Sequence, residues 1–150
     1  MASMTEPIVT CPHCGKRNRV PAVAEGVPRC GNCRHHLPWI ANVAGAEFDA
    51  AVNAEVPVLV DFWAPWCGPC KWVEPAVEQV ASRHAGELKV VKLDIDTAQD
   101  ISERYEVRGI PLLMMMRDGR EVDRLAGAVP SDQLEAWVGR QLGTQAEATQ

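Results

Sequence analysis

The chain has 150 residues, a formal net charge of −5, and a composition of 47% hydrophobic and 23% charged residues. These values are typical of a soluble globular protein and exclude a disordered chain. Charge is divided unevenly, because residues 1–40 carry five basic and two acidic residues whereas the rest of the chain carries ten and eighteen. We therefore expect two parts of different kinds.

Residues 1–9 lack the cationic start, the apolar stretch and the small-residue cleavage pattern of a secretory signal. No apolar run reaches the roughly 18 residues of a membrane span, since Asp61 and Arg117 interrupt the two best candidates. We therefore expect a cytoplasmic protein that does not enter a membrane. In a reducing cytosol, paired cysteines are more often metal ligands or redox catalysts than permanent disulfides.

All six cysteines occur in C-x-x-C pairs, and the first two pairs fit a metal site. The pair Cys11 and Cys14 precedes the pair Cys30 and Cys33 at the spacing of a four-cysteine zinc site. Two such turns can supply the four thiolates that tetrahedral Zn²⁺ prefers. A segment this short buries little apolar surface, so a structural zinc ion would supply most of its folding free energy. We predict a zinc ribbon over residues 1–37, with two disulfides as the alternative.

Three histidines, His13, His35 and His36, could replace a thiolate, but four cysteines already close a structural site, and we expect the histidines to face solvent. The basic residues of this segment also raise the possibility of nucleic-acid binding. Four thiolates and one Zn²⁺ contribute a charge of −2, however, which leaves little net positive charge to release counterions from phosphates. We therefore expect no nucleic-acid partner.

The rest of the chain alternates between short apolar runs and amphipathic stretches. Strands are predicted at residues 39–43, 58–63 and 88–95, and helices at 46–53, 67–84 and 98–105. A hairpin of residues 112–116 and 121–126 is predicted around Asp118 and Gly119, before a helix at 131–142 and a flexible tail at 144–150. This order predicts an α/β domain over residues 38–143, with a mixed sheet and helices on both faces.

Three of these elements carry further expectations. The strand at 58–63 is rich in β-branched and aromatic residues, which indicates burial on both faces. Three consecutive methionines, Met114 to Met116, are predicted to lie in the core of a central strand. In the helix at 67–84, Pro75 should cause a bend, and Gly86 is placed to end the helix.

The third pair, Cys67 and Cys70, stands alone after a buried strand and opens a helix. Unpaired backbone N–H groups and the positive end of the helix dipole stabilise a thiolate there. We therefore predict that Cys67 is a nucleophile and Cys70 a resolving thiol, with Pro69 fitting the first helical turn. The alternative is a pair of inert buried thiols or half of a metal site.

Residues 61–71, Asp-Phe-Trp-Ala-Pro-Trp-Cys-Gly-Pro-Cys-Lys, resemble the active-site segment of the thioredoxin family. The resemblance extends over residues 39–142 in element order, and the added ribbon resembles that of the bacterial thioredoxin 2 class. It implies a thioredoxin fold and a monomeric protein-disulfide reductase with no bound organic cofactor. Its partners would be disulfide-containing proteins and, as electron donor, an NADPH-dependent thioredoxin reductase.

The resemblance also implies roles for two charged residues. Asp61 matches the family's buried carboxylate, whose pKa should be raised by burial and which could accept the proton of Cys70. Lys92 matches the lysine near that carboxylate. Without the resemblance, Asp61 could be a solvent-exposed residue at a strand end, and Lys92 an exposed strand lysine.

A third feature implied by the resemblance is a substrate-docking surface. Pro111 matches the family's cis-proline, although few X–Pro bonds are cis in folded proteins. The remaining residues of this surface would be Trp66, Gly109, Ile110, Gly127 and Ala128. Leu112 departs from the family, many of whose members carry threonine after the proline, and its effect on docking is left open.

Two other functions remain compatible with these residues. The chain could be a zinc-dependent protein-binding module that uses the thioredoxin domain as a scaffold. It could also be a redox-sensing adaptor, in which oxidation of the ribbon thiolates releases zinc.

Overall fold

The computed structural model describes residues 8–24 and 26–148. Its elements follow in chain order as β1 (Ile8–Thr10), β2 (Arg17–Arg19), β3 (Ile40–Val43), α1 (Phe48–Ala51), β4 (Val58–Trp63), α2 (Gly68–Arg83), β5 (Lys89–Asp94), α3 (Gln99–Arg104), β6 (Leu112–Arg117), β7 (Arg120–Ala126) and α4 (Ser131–Ala148). Strands β1 and β2 pair antiparallel in a small sheet of their own, and the other five strands form a second sheet.

The five-stranded sheet has the order β3-β5-β4-β6-β7. Strands β3, β5 and β4 are parallel to one another, whereas β6 runs antiparallel to both β4 and β7. The central strand β4 is buried from Val58 to Phe62, as expected for a β-branched and aromatic run covered on both faces. The predicted mixed α/β sheet is therefore confirmed.

Alternate residues of the central strands pack into two cores. On one face, Val60 and Met114 pack with residues of α1 and α3. On the other face, Leu59 and Met115 pack with residues of α2 and α4. This alternation follows the two-residue period of a strand. Met114 to Met116 have no solvent exposure, which confirms their assignment to the core.

The predicted hairpin is formed by β6 and β7, which join at Asp118 and Gly119. Both turn residues have positive φ angles, 53° and 76°. A two-residue turn with two positive φ angles matches the right-handed twist of the flanking strands, and Asp-Gly is among the pairs that adopt it readily. The turn chemistry alone therefore identified this hairpin correctly.

Two predicted helix boundaries are corrected. Residues 46–53 do not form one helix, because a 3₁₀ turn at Gly45–Glu47 precedes a single α-helical turn, α1. The last helix does not end at residue 142 but continues to Ala148, because Gln145 to Ala148 all have good helix propensity. The backbone of residues 144–148 is thus helical, and residues 149–150 lie outside the described part. Among residues 8–24 and 26–148, no helix is long and apolar enough to cross a membrane.

The N-terminal ribbon packs against one end of the five-stranded sheet. Trp39 is 1% exposed and donates from Nε1 to the carbonyl of Pro21 at 2.9 Å. Lys89, the first residue of β5, donates from Nζ to the carbonyls of Ala22 and Ala51 and lies 4.3 Å from the Trp39 ring centroid. Burial lowers the pKa of Lys89 to about 8. These contacts attach the ribbon at the end of β5 where that strand begins.

Candidate functional site

Cys67 and Cys70 lie where β4 ends and α2 begins. Cys67 is the N-cap residue of α2, and its Sγ accepts a hydrogen bond from the Cys70 backbone N–H at 3.1 Å. Pro69 occupies the first helical turn, where its missing N–H is not needed. The two sulfurs form a disulfide. The fold thus places the Cys67 sulfur at the positive end of a 16-residue helix, which stabilises a thiolate in the reduced state.

The surroundings of the disulfide are apolar. Cys67 and Cys70 are 3% and 4% exposed and form a small cluster with the buried Ala64. Ile110 and Trp63 pack against this cluster. The disulfide therefore exposes little surface, and Ile110 lies directly beside it.

The Ile110–Pro111 peptide bond is cis, as the resemblance implies. The carbonyl of Pro111 accepts a hydrogen bond from the Gly127 N–H at 3.0 Å, which joins the two loops. An open groove of about 640 Å³ runs beside them, and its lining includes Gly109, Ile110, Pro111, Leu112 and Gly127. Four of the predicted docking residues therefore meet at one groove. Leu112, whose effect was left open, lines it too.

The other two predicted docking residues do not line this groove. Trp66 immediately precedes Cys67 and is 67% exposed, with its Nε1 donating to Asp96 Oδ2 at 2.9 Å. Ala128 follows Gly127 and is half-buried. The indole of Trp66 presents an apolar surface beside the disulfide. Its Nε1 is held by the Asp96 carboxylate, which the sequence does not predict.

Asp61 lies in β4 beneath α2 and is 2% exposed. Its direct neighbour in the parallel register is Lys92 of β5. Burial raises the pKa of the Asp61 carboxyl to about 6; the Lys92 cation lowers it and the Glu74 anion raises it. Lys92 Nζ donates to Glu74 Oε2 at 2.8 Å. The structure thus brings Asp61 and Lys92 together, as the resemblance implies, and adds Glu74.

The four cysteines of the ribbon converge at a second site. Their Sγ atoms all lie within 4.8 Å of one another, and the Cys11–Cys33 and Cys14–Cys30 sulfur pairs are 3.5 Å apart. A tetrahedral ion with metal–sulfur bonds of about 2.3 Å requires sulfurs about 3.8 Å apart. The cluster therefore has the dimensions of a site that could hold a metal ion.

The backbone of each cysteine turn donates to the sulfurs. The N–H of His13 donates to Cys11 Sγ, and the N–H of Asn32 donates to Cys30 Sγ, both at 3.4 Å. Backbone donation from Cys33 and Asn32 lowers the pKa of the Cys30 thiol to about 6, against the opposing effect of burial, whereas burial and the three neighbouring cysteines raise the pKa of Cys33. Such donors stabilise thiolates, the form that binds metal.

The prediction that the ribbon histidines face solvent is correct for two of them. His13 and His35 are exposed and stack on each other with ring centroids 3.9 Å apart. It is wrong for His36, which is half-buried with its ring against Gly86, where an added Cβ would come within 2.5 Å of it. Nothing in the local sequence distinguishes His36, because its burial depends on where the ribbon docks.

Sequence reasoning did not single out Glu74, Lys89 and Asp96. Glu74 had a signal, since it follows Cys70 by four residues and so lies on the same side of the helix. Nothing in the sequence indicates that Lys89 is buried, because a lysine at the start of a strand is ordinarily exposed. Nothing in the sequence indicates the contact of Asp96 with Trp66 either, since Trp66 lies thirty residues earlier.

Comparison with known proteins supports one assignment. The thioredoxin family model matches residues 39–140. A thioredoxin from Pseudomonas aeruginosa is 48% identical over 100 residues, covering 66% of this chain and 93% of its own length. Thioredoxin C-2 from Corynebacterium nephridii is 41% identical over 104 residues, covering 69% and 96%.

A third relative, thioredoxin 1 from a Nostoc species, is 43% identical over 103 residues, covering 68% of this chain and 96% of its own length. The family match contains Cys67 and Cys70 and begins after the four-cysteine cluster, which is consistent with a zinc ribbon added to a thioredoxin domain. The chain belongs to the thioredoxin family and is a thiol-disulfide oxidoreductase.

Proposed function

We propose that the chain reduces disulfides in other proteins through Cys67 and Cys70. The observation that carries this proposal is the position of Cys67 at a helix N-terminus beside the cis-proline loop, whose Ile110 packs against the cysteine cluster. The Cys67 thiolate attacks one substrate sulfur, forms a mixed disulfide and expels the other sulfur as a thiolate, which takes a proton from water.

Resolution of the mixed disulfide uses Cys70 and Asp61. The Asp61 carboxylate accepts the Cys70 proton through a bridging water, and the Cys70 thiolate then attacks Cys67 Sγ. The Cys67–Cys70 bond forms, the second substrate thiolate leaves, and it is protonated in turn. Two electrons thus pass from the dithiol to the substrate. The pKa of Asp61, about 6, suits a proton acceptor at neutral pH, and Lys92 limits the cost of its charge.

Substrate binding is assigned to the surface around the disulfide. Gly109, Ile110, Pro111 and Gly127 would offer backbone hydrogen bonds to an extended substrate segment. Trp66 and Ala128 would add apolar contact on either side of Cys67. Support comes from the shared groove and from the exposed Trp66 indole.

The oxidised protein would be recycled by an NADPH-dependent thioredoxin reductase, so the chain needs no bound organic cofactor. We place this cycle in the cytoplasm, with the chain acting as a monomer and with no nucleic-acid partner. The family membership supports the electron donor and the class of substrate.

We propose that Cys11, Cys14, Cys30 and Cys33 bind a structural Zn²⁺. Four sulfurs within 4.8 Å of one another and backbone N–H donors support this choice, because four thiolates leave no open coordination position for catalysis. The ion would fold the ribbon and would take no part in disulfide exchange.

Insulin reduction driven by dithiothreitol tests the proposed activity. We expect the wild-type protein to accelerate precipitation of the insulin B chain and Cys67→Ser to lose the acceleration. The Cys70→Ser variant should instead accumulate a mixed disulfide at Cys67, because attack proceeds but resolution does not. A Cys67→Ser protein as fast as wild type would contradict the proposal and favour a protein-binding module.

A further inference from the structure

Glu74 is a carboxylate beside Lys92 that the proposed reaction does not use. It lies on α2 four residues after Cys70, a spacing that places both on one side of the helix. Its Oε2 accepts a hydrogen bond from Lys92 Nζ at 2.8 Å, and its side chain is 47% exposed. Lys92, by contrast, is only 12% exposed.

Lys92 lies between two carboxylates. Asp61 is its direct partner in the parallel register of β4 and β5, so both side chains point to the face of the sheet that α2 covers. The Lys92 ammonium nevertheless bonds to Glu74, on the solvent side, and lies 5.8 Å from the Trp63 ring centroid. Among the described residues, Asp61 Oδ1 has no hydrogen-bond partner.

We propose that Glu74 is a positioning residue that draws the Lys92 ammonium away from Asp61 and thereby keeps the Asp61 carboxylate basic enough to accept the Cys70 proton. This inference rests on the proposed role of Asp61 as the proton acceptor. Glu74 itself exchanges no proton or electron with the substrate or with the two cysteines.

The charges around Asp61 support this arrangement. Lys92 faces it from β5 and Glu74 from α2, while its neighbour on β6 is the uncharged Leu113. A lysine bonded directly to Asp61 would stabilise the carboxylate and make it a weaker base. Brønsted behaviour then predicts slower proton transfer from Cys70. Glu74 prevents that pairing by offering the ammonium a more solvated partner.

The Glu74→Gln variant tests the proposal, with Glu78→Gln as its matched control. Glu78 lies one turn further along α2 and is also exposed, so its substitution removes the same charge without touching Lys92. The Asp61 carboxyl is titrated by ¹³C NMR in the oxidised protein, and resolution of the mixed disulfide is followed in single-turnover experiments. We expect a lower Asp61 midpoint and resolution about twofold slower at neutral pH in Glu74→Gln.

Two further measurements separate positioning from a simple charge effect. In a Lys92→Met background, Glu74→Gln should shift the Asp61 midpoint much less, because no ammonium remains to be repositioned. The Glu74→Asp variant, which keeps an anion, should restore part of the wild-type midpoint.

Three results would overturn the proposal: an unchanged Asp61 titration in Glu74→Gln, an equal shift in Glu78→Gln, or an equal shift in the Lys92→Met background. A wild-type protein that reduces no insulin would contradict the proposed function itself, and this outcome is distinct from a failure of the Glu74 proposal alone.

Discussion

Asp61 holds a charge at a place where the fold disfavours one. Its carboxyl is 2% exposed, and Oδ1 has no hydrogen-bond partner in the described part of the chain. Desolvation raises its pKa to about 6, whereas in the unfolded chain an aspartate titrates near 3.9. At neutral pH, ionising the Asp61 carboxyl therefore costs more free energy in the folded protein than in the unfolded chain. The raised pKa makes Asp61 a stronger base but destabilises the folded protein.

The Asp61→Ala variant should accordingly be more stable than wild type at pH 7. The raised pKa means that the folded state binds the proton more tightly, so the destabilisation is fully present above pH 6 and disappears as the pH falls towards 4. The difference between a pKa of about 6 in the folded state and about 3.9 in the unfolded chain corresponds to about 3 kcal/mol. Urea unfolding of the oxidised proteins at pH 7 and pH 4 measures the difference.

The same variant should resolve mixed disulfides more slowly, because it has lost the proposed proton acceptor. Equal stability of the two proteins at pH 7, or a gain that persists undiminished at pH 4, would show that Asp61 is not a destabilising buried carboxyl.

Gly86 ends the turn after α2 and touches the ribbon. Its φ angle is +91°, a conformation that side chains rarely adopt, and an added Cβ would lie 2.5 Å from Cδ2 of the His36 ring. Gly119 has a similar φ of +76° but open space around it, and Gly139 lies in α4 with nothing near a Cβ. Alanine substitutions at these three glycines therefore distinguish the cost of backbone strain from the cost of the contact with His36.

We expect Gly86→Ala to be the most destabilising of the three alanine substitutions. Gly119→Ala should cost about 1–3 kcal/mol for the strained backbone alone, and Gly86→Ala should cost more because the His36 ring must also move. Gly139→Ala should gain about 0.5–1 kcal/mol from helix propensity. Thermal unfolding gives the order. Equal losses for Gly86→Ala and Gly119→Ala would mean that the contact with His36 contributes nothing.

Elements determined by local pattern were predicted well. Strand β4 and the β6–β7 hairpin matched their predicted positions closely, since a β-branched run and an Asp-Gly turn each favour one conformation. The helix boundaries of α1 and α4 were less predictable, because a short helix and a weakly amphipathic end depend on tertiary packing. His36 and Lys89 could not be assigned from the sequence, since both are buried only because the ribbon packs against the sheet.

At the scale of the whole molecule, the two cysteine sites lie at opposite ends of the sheet. The ribbon contacts Lys89 at the start of β5, whereas Cys67 follows the last residues of the parallel strand β4. The buried residues of the thioredoxin domain's two cores are distinct from those of the cluster around Trp39, but Ala22 of the ribbon packs against one of these cores and Ala54 packs against both that core and the Trp39 cluster. The ribbon therefore lies at the end of the sheet opposite the disulfide.

Metal removal should thus affect stability more than activity. Chelation of the proposed Zn²⁺ should unfold the ribbon, expose Trp39 and lower the melting temperature, while insulin reduction is largely retained. Tryptophan fluorescence, metal analysis and the insulin assay, all on the same samples, follow the three effects. Complete loss of activity on chelation, reversed by added zinc, would contradict this separation.

On this assignment, two of the six cysteines transfer electrons and the other four bind metal. The most direct test is to let the fully reduced, metal-loaded protein reduce insulin, alkylate the remaining thiols and map every cysteine by mass spectrometry. We predict that one Cys67–Cys70 disulfide forms for each insulin disulfide reduced, while Cys11, Cys14, Cys30 and Cys33 stay reduced and the bound metal is unchanged. Oxidation of the ribbon cysteines in step with insulin reduction, with Cys67 and Cys70 left as thiols, would contradict the assignment.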